Sequence, residues 1–196
     1  MFVSLEGIDG SGKSTQARLL AEALGPDTLM IREPGGTDAA ERVRELLADP
    51  ALDIDPFAEL LLFSAARADL VSRVIRPAVE AGADIVADRF ADSSIAYQGG
   101  ARGLGTSHVL SLTDTVIDGL WPDLTVLLWV DPEVGLGRAE GEDRFESEGL
   151  ELQRAVAEAY KEIAQIASDR VVVVDASGTV EEVHKRVMEV VRSHSQ

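Results

Sequence analysis

The chain has 196 residues, 45% of them hydrophobic, and a formal net charge of −17. That length suits one domain with a real core, while the acidic balance excludes DNA or RNA as a partner, because a polyanion must be met by basic surface. The absence of cysteine excludes disulfides, thiolate nucleophiles and Cys-type zinc sites, and the three histidines, His108, His184 and His194, fall outside every motif below.

In chain order, the first apolar run predicts a strand over 2–5. Because that run lacks the basic region and cleavage site of a signal peptide, and nothing later approaches the ~18 apolar residues of a membrane span, a cytoplasmic protein without a membrane partner is expected. Further short apolar strands are predicted over 28–31, 85–87, 124–130 and 171–174, and helical periodicity over 13–24, 38–48, 56–81, 106–119, 150–168 and 180–193. The alternation predicts a doubly wound α/β domain: a five-stranded parallel sheet flanked by helices in three αβα layers, one domain over 1–196. Glycine-containing segments at 35–36, 99–105 and 135–149 read as loops, and loops after strand C-termini carry function in such sheets.

The first such loop is Gly7-Ile8-Asp9-Gly10-Ser11-Gly12-Lys13-Ser14, a complete G-x-x-x-x-G-K-[ST] phosphate-binding pattern between strand and helix, with Thr15 following. Glycines let backbone amides fold around phosphate oxygens, and the helix N-terminus adds a positive field. Lys13, one of three lysines in the chain, is expected to reach the β- and γ-phosphates, and Ser14 to ligate Mg²⁺.

Two further segments follow the second and third strands: Arg32-Glu33-Pro34-Gly35-Gly36-Thr37 and Asp88-Arg89-Phe90-Ala91-Asp92-Ser93-Ser94-Ile95-Ala96-Tyr97-Gln98-Gly99-Gly100. With the phosphate loop, they resemble the thymidylate kinase family of phosphate-loop nucleoside monophosphate kinases. The resemblance runs nearly end to end, through Phe63 to Arg67, Pro122 to Thr125 and a lid-like Asp143-Arg144. It implies transfer of the ATP γ-phosphoryl group to dTMP, with Mg²⁺, in a homodimer. The chemistry agrees with what the chain lacks. A phosphate monoester acceptor, with a second pKa of about 6, needs no general base, so the work falls to positioning and charge neutralisation.

The resemblance assigns roles residue by residue. Asp88 takes the place of a Walker B acid beside Ser14, Asp9 meets the dTMP 3′-hydroxyl and a metal-bound water, and Arg89 lies between donor and acceptor phosphates. Phe63 and Arg67, four apart on one helix face, stack on thymine and bond its O4. Ser94 bonds thymine N3 with Gln98 nearby, Tyr97 crowds a ribose 2′-hydroxyl, and Arg44 and Glu33 complete the acceptor pocket. Structural alternatives stay open for each: a solvated loop acid for Asp9 and Glu33, an ion pair for Arg89, a core ring for Phe63, an exposed helix position for Arg44.

The lid, placed at 135–149, departs from the family. Relatives whose phosphate loop lacks a basic residue, as with Gly10-Ser11 here, usually carry a basic lid; this one reads Gly137-Arg138-Ala139-Glu140-Gly141-Glu142-Asp143-Arg144. Arg138 and Arg144 are its remaining cations, and one of them, Arg144 first, is expected to contact the ATP phosphates. Phe90 replaces the commoner Tyr. A regulatory GTPase is excluded by the lack of N-K-x-D. A deoxynucleoside kinase using Glu33 as base, and a non-catalytic ATP-binding protein, are the alternatives. The segment 56–81 holds more apolar residues than one buried stripe requires, as a helix-to-helix dimer would want.

Overall fold

Phe2–Glu6 forms β1, with every residue buried, as a strand covered on both faces should be. A computed structural model of the chain describes residues 1–138 and 149–194. The other strands are β2 (Leu29–Arg32), β3 (Ile85–Asp88), β4 (Leu124–Trp129) and β5 (Val171–Asp175), in the order β2-β3-β1-β4-β5. All pairings are parallel; Val3 lies between Val86 on one side and Leu124 on the other. The five predicted strands are therefore all present, most of them running one residue further at the C-terminal end.

Helix α1 (Lys13–Leu24) follows the phosphate loop, and α2 (Asp38–Ala48) starts at Thr37, whose hydroxyl caps the Ala40 amide at 3.1 Å. Helix α3 (Pro56–Leu70) is capped by Asp55, with Pro56 in the first turn. It continues through a π-helical turn, Val71–Ile75, into α4 (Arg76–Glu80). Pro77 lacks an amide hydrogen and its ring would crowd the carbonyl of Arg73, and the wider turn just before it gives that room. After β3 come α5 (Ala91–Ser94), a π-helical stretch Ile95–Ala101 and α6 (Thr106–Ile117). Then follow α7 (Pro132–Arg138), α8 (Gly149–Ile166) and α9 (Val180–His194).

Right-handed crossovers sort these helices onto two faces. The β1-to-β2 step and the β3-to-β4 step run in opposite directions along the sheet. Accordingly α1 lies with α9 on one face, and α6, α8 and the helical stretch 95–101 pack together on the other.

Two predicted loops are helical instead. Gly99 and Gly100 lie in the π-helical stretch: a Cβ at Gly100 would overlap Ala159 of α8, and one at Gly99 would stand 3.1 Å from the Thr106 Cα. These glycines serve close helix packing rather than a turn. Within 135–149, residues 132–138 form α7, which begins where Asp131 accepts from the Glu133 amide at 2.9 Å and Pro132 opens the first turn. Arg144, with the rest of 139–148, lies outside the described residues.

Candidate active site

The C-terminal ends of β1, β2 and β3 open onto one cleft with two halves. In the first half the phosphate loop turns through left-handed glycines, Gly10 at φ 71° and Gly12 at φ 91°, the latter capping α1. A Cβ at Gly135 would come within 2.7 Å of the Asp9 carbonyl oxygen, so α7 rests directly on this loop. Gly10, Gly12, Lys13, Ser14, Thr15, Asp88 and Arg138 line this half. Lys13 is buried and its Nζ donates to the Ile8 carbonyl at 2.6 Å. Burial, helped by the nearby Arg89 guanidinium, pulls its ammonium down to about 8. Ser11, by contrast, is buried with a hydroxyl that has no partner among the described residues.

Ser14 and Asp88 offer a hydroxyl and a carboxylate, hard oxygen donors of the sort Mg²⁺ takes together with waters and phosphate oxygens. Among the described residues no cluster of three or more His, Asp or Glu could hold a metal on protein ligands alone.

The second half is lined by Phe63, Arg67, Ser94, Tyr97 and Gln98 from the helices, with Leu47, Ala48 and Arg44 from α2 closing it. Arg67 is 1% exposed. Its Nε donates to Glu33 Oε2 at 2.8 Å, Nη1 to the Ser94 hydroxyl at 2.9 Å, and Nη2 to the Phe90 carbonyl at 3.3 Å. Burial raises the Glu33 carboxyl despite Arg67, and its second oxygen, Oε1, has no partner among the described residues. Arg44 Nη1 donates to the Pro34 carbonyl at 3.1 Å.

Asp9, Glu33, Arg44 and Arg89 line both halves. Arg89 follows β3 with a left-handed backbone, φ 70°, unusual for a residue with a side chain. Its amide donates to Leu5 O at 3.0 Å, and the next amide, of Phe90, donates to Glu6 Oε1 at 2.8 Å. This turn aims the guanidinium at Asp9, to which Nη2 donates, and at the Tyr97 hydroxyl 3.1 Å away. Burial alone would raise the Asp9 carboxyl, but Arg89 and Lys13 hold it below the usual carboxylate range.

Most of the site residues predicted within the described chain line this cleft, but Gly7, Ile8 and Ser11 of the phosphate loop do not, and Gln98 is turned partly elsewhere: its amide donates to Glu59 at 2.8 Å. Three partners were not predicted. Gln153 on α8 donates to Asp9 Oδ2 at 2.7 Å and accepts from the Asp9 amide at 3.1 Å. Glu6, under the loop, accepts from Ser93 Oγ at 2.6 Å and from the Tyr160 hydroxyl at 2.7 Å. Glu59 holds Gln98. Each is a polar residue at a position whose phase along its strand or helix is buried, a signal that was legible in the sequence.

A phosphate loop at the C-terminal edge of a parallel sheet, opening into a second pocket lined by cations and a ring, defines a phosphate-loop nucleotide phosphotransferase. A family model described as thymidylate kinase matches residues 5–187. The thymidylate kinase of Halothermothrix orenii is 45% identical, covering 95% of this chain and 94% of its own; that of Deinococcus radiodurans is also 45% identical, over 95% and 94%. The crystal structure of thymidylate kinase from Ehrlichia chaffeensis superposes with a TM-score of 0.82 at 36% identity, over 98% of each chain. The chain belongs to the thymidylate kinase family.

Proposed function

We propose that this enzyme transfers the γ-phosphoryl group of ATP to the 5′-phosphate of dTMP, giving dTDP and ADP. The observation that carries the reading is the junction of the two half-clefts, where Arg89, Asp9 and Tyr97 bond one another between the phosphate loop and the Arg67 pocket. Lys13 and the loop amides hold the donor phosphates. Ser14 and Asp88 would hold Mg²⁺, which when bound neutralises phosphate charge. Arg89 lies where donor and acceptor phosphates meet, Asp9 faces the sugar, and the Tyr97 ring narrows the space left for a 2′-hydroxyl. Phe63, Arg67 and Ser94 take the base, while Arg44 and Glu33 close the phosphate and sugar end. Arg138 lines the phosphate half, its Nη1 3.4 Å from the Ala176 carbonyl. Arg144, outside the described residues, is proposed from the sequence alone to contact the ATP phosphates.

The protein is further proposed to act as an isologous homodimer through α3. Its outer side carries Phe57, Leu61, Ala65 and Ala68, continued by Ser72 of the π-helical turn, all exposed and none charged. Phe57 is 44% and Leu61 46% exposed, a stripe suited to a second copy of the same helix.

ADP release with Mg-ATP tests the activity against dTMP, dUMP, the ribose analogue of dTMP, dCMP, dGMP and thymidine. Strong preference for dTMP is expected. Turnover of thymidine instead would transfer the mechanism to a nucleoside kinase with Glu33 as base, and release indifferent to the acceptor would leave an ATPase.

A further inference from the structure

Gln98 lines the nucleoside half of the cleft, yet its side-chain amide is not free to turn. Its Nε2 donates at 2.8 Å to Oε1 of Glu59, a residue of α3 with no solvent exposure. Glu59 is bound on its other side by Arg102, whose Nε reaches Oε1 and Nη2 reaches Oε2, each at 3.2 Å. A carboxylate accepts and cannot donate, so the only amide orientation compatible with an ionised Glu59 puts the NH₂ group on Glu59 and the carbonyl away from it. The flipped amide would set two acceptor oxygens against each other in a buried place, a costly arrangement. Gln98 Oε1 accepts no hydrogen bond among the described residues. Gln98 therefore presents the cleft with an acceptor, and the Glu59–Arg102 pair keeps it one.

We propose that Glu59 is the positioning residue that sets base selectivity, by locking Gln98 as a hydrogen-bond acceptor in the pocket. Set with Ser94 at the N3 edge of the base, an acceptor there favours a pyrimidine carrying N3–H, as thymine and uracil do, and disfavours cytosine, whose N3 is itself an acceptor. Selection by an unpaired buried polar group is steep compared with selection by shape. The inference rests on the dTMP reading above and adds a residue that touches no substrate.

The test compares kcat/KM for dTMP and dCMP in the wild type, Glu59→Gln and Gln98→Leu. A glutamine at 59 both donates and accepts, so it tolerates either orientation of the Gln98 amide. In Glu59→Gln the dTMP-to-dCMP ratio is expected to fall about tenfold, with dCMP turnover kept or raised, and saturation with dTMP to shift through KM more than kcat. General structural damage would lower both substrates together and leave the ratio alone. Glu59 is buried against Arg102, so Gln98→Leu carries the test should Glu59→Gln fail to fold; it removes the acceptor and is expected to lower the ratio through dTMP. A selective wild type whose variants keep the ratio within twofold overturns the proposal alone. A wild type without dTMP-dependent turnover overturns the substrate reading and the proposal with it.

Discussion

Arg89 shows how much of this site is set one residue at a time. Its left-handed backbone costs about 1–2 kcal/mol, and the two amides that fix it bond Leu5 and Glu6, so the strand before the phosphate loop decides where the guanidinium points. Asp9 is held in turn by Arg89 and by both ends of the Gln153 amide. Replacing Gln153 by leucine removes that grip while suiting the apolar flank of α8. We expect kcat/KM for dTMP to fall about tenfold with little change in melting temperature, as steady-state kinetics and calorimetry would register. Lys13 sets a second expectation. With its ammonium at about 8 in the free enzyme, kcat/KM for the nucleotide donor should decline as pH rises through that value and the proton is lost. Bound phosphates favour the charged form, so kcat should hold to higher pH, and parallel pH profiles of the two parameters would separate them.

Among elements, the contact between α7 and the phosphate loop is backbone against backbone. A Cβ at Gly10 would overlap the Gly135 carbonyl, whereas one at Gly12 meets nothing within 4 Å among the described residues, although both residues have positive φ. Gly12→Ala should therefore cost only its backbone strain, about 1–2 kcal/mol. Gly10→Ala should cost a further ~1–3 kcal/mol for overpacking and displace α7 from the loop, a difference that denaturant unfolding would resolve. The same steric logic explains where sequence reading stopped. Strand and helix periods located the five strands and the helices around them because those patterns are local. Gly99, Gly100 and Gly135 were read as loop residues because a glycine required by close helix approach and one required by a turn look alike until the neighbouring helix is in place. The Asp131-Pro132 start of α7 was, by contrast, a legible cap signal that the glycines masked.

For the whole molecule, burial by both layers turns Glu6 into a pH-dependent term. The sheet encloses it, and that burial, with Asp92 nearby, raises its carboxyl from 4.5 to about 7. Between those values the folded protein binds more protons than the unfolded chain, so stability should fall as pH rises from about 4.5 to 7, by about 3 kcal/mol in all. Glu6→Gln should flatten that slope in denaturant titrations across the window. The exposed face of α3 acts at the same scale: Leu61→Glu would place like charges on the proposed two-fold interface, and sedimentation is expected to find a dimer for the parent protein and a monomer for the variant.

The phosphate loop and the succession of strands and helices are written in local spacing, G-x-x-x-x-G-K-S and apolar runs of strand length, whereas the residues expected along the cleft came from the resemblance to the thymidylate kinase family. How those residues are held is a matter of tertiary structure. Gln153 lies 144 positions from Asp9, Tyr160 lies 154 from Glu6, and Glu59 lies 39 from Gln98. Hydrogen bonds over such separations exist only once the crossovers have laid α3, α8 and the stretch 95–101 against one face of the sheet, and no pattern within a helical turn encodes them.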